Sequence, residues 1–228
     1  MLLFDVDATL VLTGGAGIRA LNRAFHQICN VDAAMDGIAP HGKTDPAIIR
    51  EIFHARFGGD PPPAQDIPRV LDSYVEFLRE EVQLSDKYEI LPGIVEILEE
   101  LGSRTDVLLG LATGNVESGA RIKLHRGGLN RYFDFGGYGS DSESRSALVR
   151  KAAEKALNRS GQPIDGRDVF VIGDTPRDIE AGKEAGFRTV GVATGQYSVQ
   201  QLREAGADFA IEDFRRDRDY FLRSTFMA

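Results

Sequence analysis

The first ten residues constrain this chain more than any other stretch. Leu2-Leu3-Phe4 is an apolar run that breaks off at Asp5-Val6-Asp7-Ala8-Thr9. Side chains two apart in a strand project from one face, so Asp5 and Asp7 would leave the carboxyl end of a buried strand together. That end is where open α/β sheets place their sites. Neighbouring carboxylates repel each other unless a cation or a shared proton compensates. The pair therefore suits a metal-assisted nucleophile beside a general acid/base. Taken alone, it would equally describe a solvated strand end.

Two later runs repeat the pattern. Val107 to Ala112 stops at Thr113-Gly114-Asn115, and Val169 to Ile172 stops at Gly173-Asp174-Thr175-Pro176-Arg177-Asp178. Thr189 to Val192 and Asp208 to Ile211 read as further strands, and Tyr132 to Gly139 as a weaker one. Between them, helical spacing predicts helices opening at Pro92, over Val116 to Arg126, over Ser146 to Asn158, and from Pro176 to near Gly186. Strands joined by helices imply a parallel sheet covered on both faces. The expected fold class is α/β, with a Rossmann-like core.

Residues 13–87 break that alternation. Ile18, Leu21, Phe25 and Ile28 keep helical spacing, as do Ile49, Ile52, Phe53 and Phe57, and again Val70, Leu71, Tyr74, Val75 and Leu78. Gly58-Gly59-Asp60-Pro61-Pro62-Pro63 separates the second helix from the third. Three amphipathic helices with no strand between them predict a small helical cap domain inserted after the first strand. The expected division is a core of residues 1–12 and 88–228 and a cap of residues 13–87. Hinges are expected near Val11 to Gly15 and Lys87 to Pro92.

Composition narrows the partners. A formal net charge of −8 over 228 residues argues against nucleic acid or an anionic membrane surface. It leaves room for an anionic substrate where a local cation reverses the field. No segment is apolar enough to span a bilayer. The single Cys29 forms no internal disulfide and points to a reducing cytoplasm; on its helical pattern it is a small apolar residue. The N-terminus lacks a basic n-region, and Met1 leads straight into the first strand, so little N-terminal extension is expected. Arg215 to Asp219 mixes charges and is expected to be a solvated end.

At these residues the chain resembles the haloacid dehalogenase superfamily, in particular its phosphatase-like members with a helical cap, such as phosphoglycolate phosphatases and β-phosphoglucomutases. Asp-x-Asp-x-Thr stands at Asp5 to Thr9, a strand-end hydroxyl at Thr113, and Gly-Asp-x-x-x-Asp at Gly173 to Asp178, with a basic residue between the last two. The resemblance implies that Asp5 is the nucleophile that forms an aspartyl-phosphate. Asp7 would protonate the leaving alcohol and later deprotonate water. Dehalogenating relatives lack an acid at the second position, so Asp7 points to phosphoryl transfer.

Magnesium is the implied cofactor, since a hard cation bridges carboxylates and phosphate oxygens. Its expected ligands are Asp5, Asp7 through the backbone carbonyl, Asp174 and Asp178. Thr113, with nearby backbone N–H groups at Gly114, would hold the transferring phosphoryl group. Asn115 either caps the next helix or lines the site. Arg145, at the start of a helix, is the candidate basic residue, with Arg150 and Lys151 as rivals. Ala8 stands where the family usually has glycine. In the cap, Lys43 within His41-Gly42-Lys43-Thr44-Asp45 is a candidate substrate contact, or else part of a helix start in which Asp45-Pro46 caps.

These residues predict a cytoplasmic phosphatase, monomeric or a small homo-oligomer, acting on a small phosphorylated metabolite such as phosphoglycolate or a sugar phosphate. A sugar phosphomutase with the same motifs is the rival enzyme. A non-catalytic phosphometabolite binder and a phospho-receiver domain are rivals of other classes.

Overall fold

The computed structural model describes residues 1–58, 65–161 and 163–226; most of the Gly58 to Pro63 breaker lies outside them. Strand β1 is Leu2–Phe4, with all three residues at most 1 % exposed. It lies at the centre of a six-stranded parallel sheet. On one side come β4 (Leu109–Thr113) and then β5 (Gly136–Tyr138); on the other come β6 (Phe170–Gly173), β7 (Arg188–Val192) and β8 (Phe209–Ile211). Phe4 is in register with Leu111 and with Ile172, so the three central strands end at one level. The chain leaves β1 towards both sides of the sheet, which opens a crevice at its carboxyl end.

Alternation along the strands sorts the core into two layers. Phe4, Leu111 and Ile172 face one way, against α4 (Ile94–Gly102), α5 (Glu117–Arg126) and α9 (Arg218–Phe226). Leu3, Ala112 and Val171 face the other, against α6 (Arg145–Ser160) and α7 (Pro176–Ala185). The short α8 (Val199–Glu204) buries Leu202 beside Ile179 and Ala210. The weak strand expected over Tyr132 to Gly139 divides into a 3-10 turn at Leu129–Tyr132 and the edge strand β5.

The charged run Arg215 to Asp219 is solvated as expected, but it leads into a helix that packs on the core rather than ending the chain's folded part. Phe214 and Phe221, seven apart and flanking it, are each 1 % exposed, and their rings meet edge to face at 5.0 Å. Phe214 also touches Phe4 at 6.1 Å, so α9 closes the core beneath β1. The charges ride the outer surface, where Arg218 pairs with Glu100. No described helix is long and apolar enough to cross a membrane.

Helices α1 (Ala16–Cys29), α2 (Asp45–Phe57) and α3 (Asp66–Leu84) carry their own apolar cluster, built on Leu21, Phe25, Ile49, Ile52, Phe53, Tyr74 and Leu78. Cys29, at the end of α1, packs half-buried against it. The two chain crossings between this layer and the sheet lie side by side, because β2 (Val11–Leu12) pairs antiparallel with β3 (Glu89–Ile90). Gly14 follows with φ +58°, and a Cβ there would sit 2.6 Å from both the Lys87 Cβ and the Ser85 Oγ. Only glycine fits so close an approach of the two crossings.

Candidate active site

The polar groups at the sheet's carboxyl end converge. Asp5 continues β1, its N–H bonded to the Ile172 carbonyl at 2.9 Å, and it is 6 % exposed. Asp174 follows β6. Asp178 stands one turn into α7, where its Oδ2 accepts from the Thr175 N–H at 3.0 Å and the Thr175 hydroxyl at 2.7 Å. Asp178 thus closes the capping box of α7 while its carboxylate also faces the strand ends. One carboxylate oxygen from each of Asp5, Asp174 and Asp178 falls within 4.8 Å of the others.

Arg145 supplies the balancing charge. As the first residue of α6 it points back across the sheet end, with Nη2 3.0 Å from Asp5 Oδ2 and Nε 2.9 Å from Asp178 Oδ1. Burial works against its charge, but Asp178 and Asp5 outweigh burial and push the guanidinium pKa up. The rivals face elsewhere. Lys151 pairs on the surface with Glu154, and Arg150 reaches the Glu184 carbonyl.

The carboxylates do not share this compensation equally. Burial pushes Asp5 up to about 6; Arg145 opposes the shift and Asp178 adds to it. Asp174 is pushed up to about 8, by burial first and then by Asp178 and Asp5. A cluster so reluctant to ionise calls for either protons or a further cation. Three hard oxygen donors are a donor set that suits magnesium. The residues present therefore fit that ion.

Asp7 turns away from this cluster, its side chain 45 % exposed. Lys123 Nζ lies 2.6 Å and 2.9 Å from its two oxygens and 2.6 Å from Asn115 Oδ1. Asn115 in turn donates to Asp7 Oδ2 at 2.7 Å and to the Thr113 hydroxyl at 2.8 Å. Asn115 accordingly lines the site, and Val116 takes the N-cap position of α5. Thr113 ends β4 fully buried.

Lys123 was not singled out from the sequence. Its signal was its phase: Val116, Ala120, Lys123 and Leu124 fall on one helical stripe, and a lysine on a buried stripe needs partners. Burial disfavours its charge, yet Asp7 and Asp45 prevail and its pKa is raised.

Residues 40–45 lie over these groups. Asp45 N donates to the Gly114 carbonyl at 2.8 Å, and the Asp45 carboxylate accepts from Val116 N at 2.8 Å. Burial pushes Asp45 up to about 6. Thr44, rather than Asp45, caps α2. A Cβ at Gly114 would lie 2.2 Å from the Lys43 carbonyl oxygen, so only glycine admits this contact. The Gly42 carbonyl accepts from Arg145 at 3.3 Å, and His41 meets Gln196. The Lys43 ammonium pairs with Glu51. Ala8 adopts φ +55°, the left-handed conformation for which glycine is favoured. Together these segments enclose a cavity of about 790 Å³ that runs from Asp5 and Asp174 to the inner face of α1.

The family model for haloacid dehalogenase-like hydrolases matches residues 2–192. The chain belongs to this family. Its match reaches from β1 to the end of β7 and so takes in every strand-end group described above. Among curated relatives, the "Probable phosphatase IndB" of Dickeya dadantii is 26 % identical over 94 % of this chain and 90 % of its own length. The phosphoglycolate phosphatase of Synechococcus elongatus is 30 % identical over 54 % of this chain and 55 % of its own. Among solved structures, a hydrolase from Pseudomonas syringae superposes with a TM-score of 0.72 over 96 % of both chains at 24 % identity.

Proposed function

We propose that this haloacid dehalogenase-like hydrolase is a magnesium-dependent phosphatase that cleaves a small phosphomonoester through an aspartyl-phosphate on Asp5. The observation that carries this reading is the position of Asp5: buried at the end of the central strand, 3.0 Å from Arg145, and grouped with Asp174 and Asp178. Two curated relatives named as phosphatases, and two named as pyrophosphatases, support the phosphatase part of this reading.

Asp5 Oδ attacks phosphorus as the P–O bond to the alcohol breaks, and the departing oxygen takes a proton from Asp7. Water then attacks phosphorus, gives its proton to Asp7, and frees Asp5 and inorganic phosphate. Arg145, Thr113 and the backbone at Gly114 face the phosphoryl oxygens as charge builds on them. Lys123 and Asn115 hold Asp7 on the cap side, where the leaving oxygen would lie. Magnesium, held by Asp5, Asp174, Asp178 and the Asp7 carbonyl, would neutralise phosphate charge against the carboxylates.

Residues 13–87 would act as a lid hinged at the β2–β3 ribbon, excluding water and placing Lys43 on the substrate side. One cysteine in 228 residues fits a reducing cytoplasm.

Asp5→Asn should abolish phosphate release from a generic aryl phosphate and leave no acid-trapped, hydroxylamine-labile phosphoenzyme. Asp7→Asn should slow turnover by ~10²–10⁴-fold, as for a lost general acid/base. A near wild-type rate in Asp5→Asn would defeat the assignment of the nucleophile.

A further inference from the structure

The half of the cavity away from the carboxylates is built for a body without charge. Its wall there is Leu12, Ile18, Leu21, Met35, Ile48 and Tyr74. Leu12 and Ile18 are 37 % and 42 % exposed, among the few large apolar side chains the fold leaves open to solvent, and both lie at this cavity. Scattered exposed apolar residues need no explanation, but two on the wall of one cavity beside a reaction centre do.

The buried and half-buried cations along the wall are already matched, while Lys87 stands exposed at the rim. Lys43 is paired with Glu51, Lys123 with Asp7, and Arg145 with Asp5 and Asp178. Lys87, at the rim, is flanked by Asp86 and Glu89, which also line the cavity. A substrate carrying a second anionic group, a carboxylate or another phosphate, would meet no uncommitted buried cation. To reach Lys123 or Arg145 it would have to break an existing pair, leaving a buried charge unmatched. At about 790 Å³ the cavity is within the range that holds drug-sized ligands, well beyond the needs of a two-carbon acid phosphate.

We infer that the substrate is a phosphomonoester of an uncharged alcohol with a sizeable apolar or aromatic body, seated against Leu12 and Ile18, and not a phosphorylated acid or a bisphosphate. The inference rests on the phosphatase reading for the orientation of the phosphate, and it sets the class of alcohol.

Aryl esters leave easily, so rates alone would confound the comparison. The full chain with magnesium is therefore titrated calorimetrically with two inert phosphonates, 1-naphthylmethylphosphonate and phosphonoacetate. The naphthyl compound should bind at least about tenfold tighter, the gain expected from burying part of one ring system. Ile18→Asp and the milder Ile18→Ala, both at an exposed position, should shrink that ratio, with melting curves showing that each variant folds. Equal or tighter binding of phosphonoacetate, or a ratio that neither substitution changes, overturns the inference. Phosphate release from 1-naphthyl phosphate and phosphoglycolate is measured in parallel. Should neither ester be cleaved while the binding ratio holds, the phosphatase reading fails and the ligand class stands. Should both be cleaved with no binding ratio, the reverse follows.

Discussion

Removing magnesium should make this protein's stability fall as pH rises from 6 to 8. Asp174 is pushed up to about 8 from an ordinary value of 3.8, and Asp5 to about 6. A group whose pKa is raised on folding stabilises the fold fully below its unfolded value, and that contribution is lost as pH climbs through the folded value. For Asp174 the folded carboxyl is almost wholly protonated at pH 6 and half ionised at pH 8, whereas the unfolded one is ionised at both. The loss over this window is about 2 kcal/mol, and Asp5 adds roughly 0.4 kcal/mol. For a chain of this size that corresponds to a fall in Tm of roughly 5–10 °C.

Magnesium should replace those protons. At pH 7 Asp174 holds about nine-tenths of a proton and Asp5 about a tenth, so binding should release about one proton per chain. Calorimetric melts in chelator and in saturating magnesium, from pH 6 to pH 8, test the first claim. Titrations of magnesium in two buffers of different ionisation heat test the second. Asp174→Asn removes the main titrating carboxyl, so its chelated Tm should vary much less over the window, separating this site from the histidines. A chelated wild-type Tm that stays flat or rises, or magnesium uptake without proton release, would refute the reasoning.

Lys123→Met removes the ammonium from Asp7, Asn115 and the neighbourhood of Asp45. Because Asp7 is nearly half exposed and can regain water, the stability cost should lie near the low end for a broken buried pair, about 3 kcal/mol. Turnover should fall by ~10²-fold with KM little changed, as for a displaced catalytic group; an unchanged kcat would reduce Lys123 to a structural cation. Ala8→Gly relieves a left-handed alanine, a strain of about 1–2 kcal/mol, and loses about 0.5–1 kcal/mol to chain flexibility. Its Tm should therefore rise or stay level, and a clear fall would show that the Ala8 methyl packs usefully.

The strands that carry the site were legible because each is an apolar run cut short by groups that have no place in a core. Leu2 to Phe4 with Asp5, Val169 to Ile172 with Asp174, and Leu109 to Ala112 with Thr113 needed no tertiary information. The choice of Arg145 over Arg150 and Lys151 follows from helical phase. Five and six residues on, at about 100° per residue, a side chain points well away from the first. The C-terminal helix α9 was hidden by its own surface charges, since Phe214 and Phe221 flank six residues of which five are charged.

Lys123 was hidden for a different reason. A helix with one buried face displays its charges on the other, and a lysine there is solvated by default. α5 has two covered faces: Ala120 and Leu124 meet the sheet's core, while Ile122 packs on the helical layer above. Once both sides are occupied, a lysine has no path to water and must find carboxylates. The second side is supplied by residues 16–84, far away in sequence. Helical phase marks Lys123 as a lysine in need of partners. No local pattern, however, says that these residues fold back over α5, so its pairing with Asp7 emerges only when the helical layer and the sheet are seen together. Within that layer the Tyr74 phenol is raised well above its usual range, by burial first and then by Asp45 and Asp7. The lid proposed above would therefore do more than shut out water. By covering Lys123 and placing Asp45 beside it, the helical layer sets how charge is distributed beside Asp7, and opening the proposed lid would change that distribution as well as admit substrate.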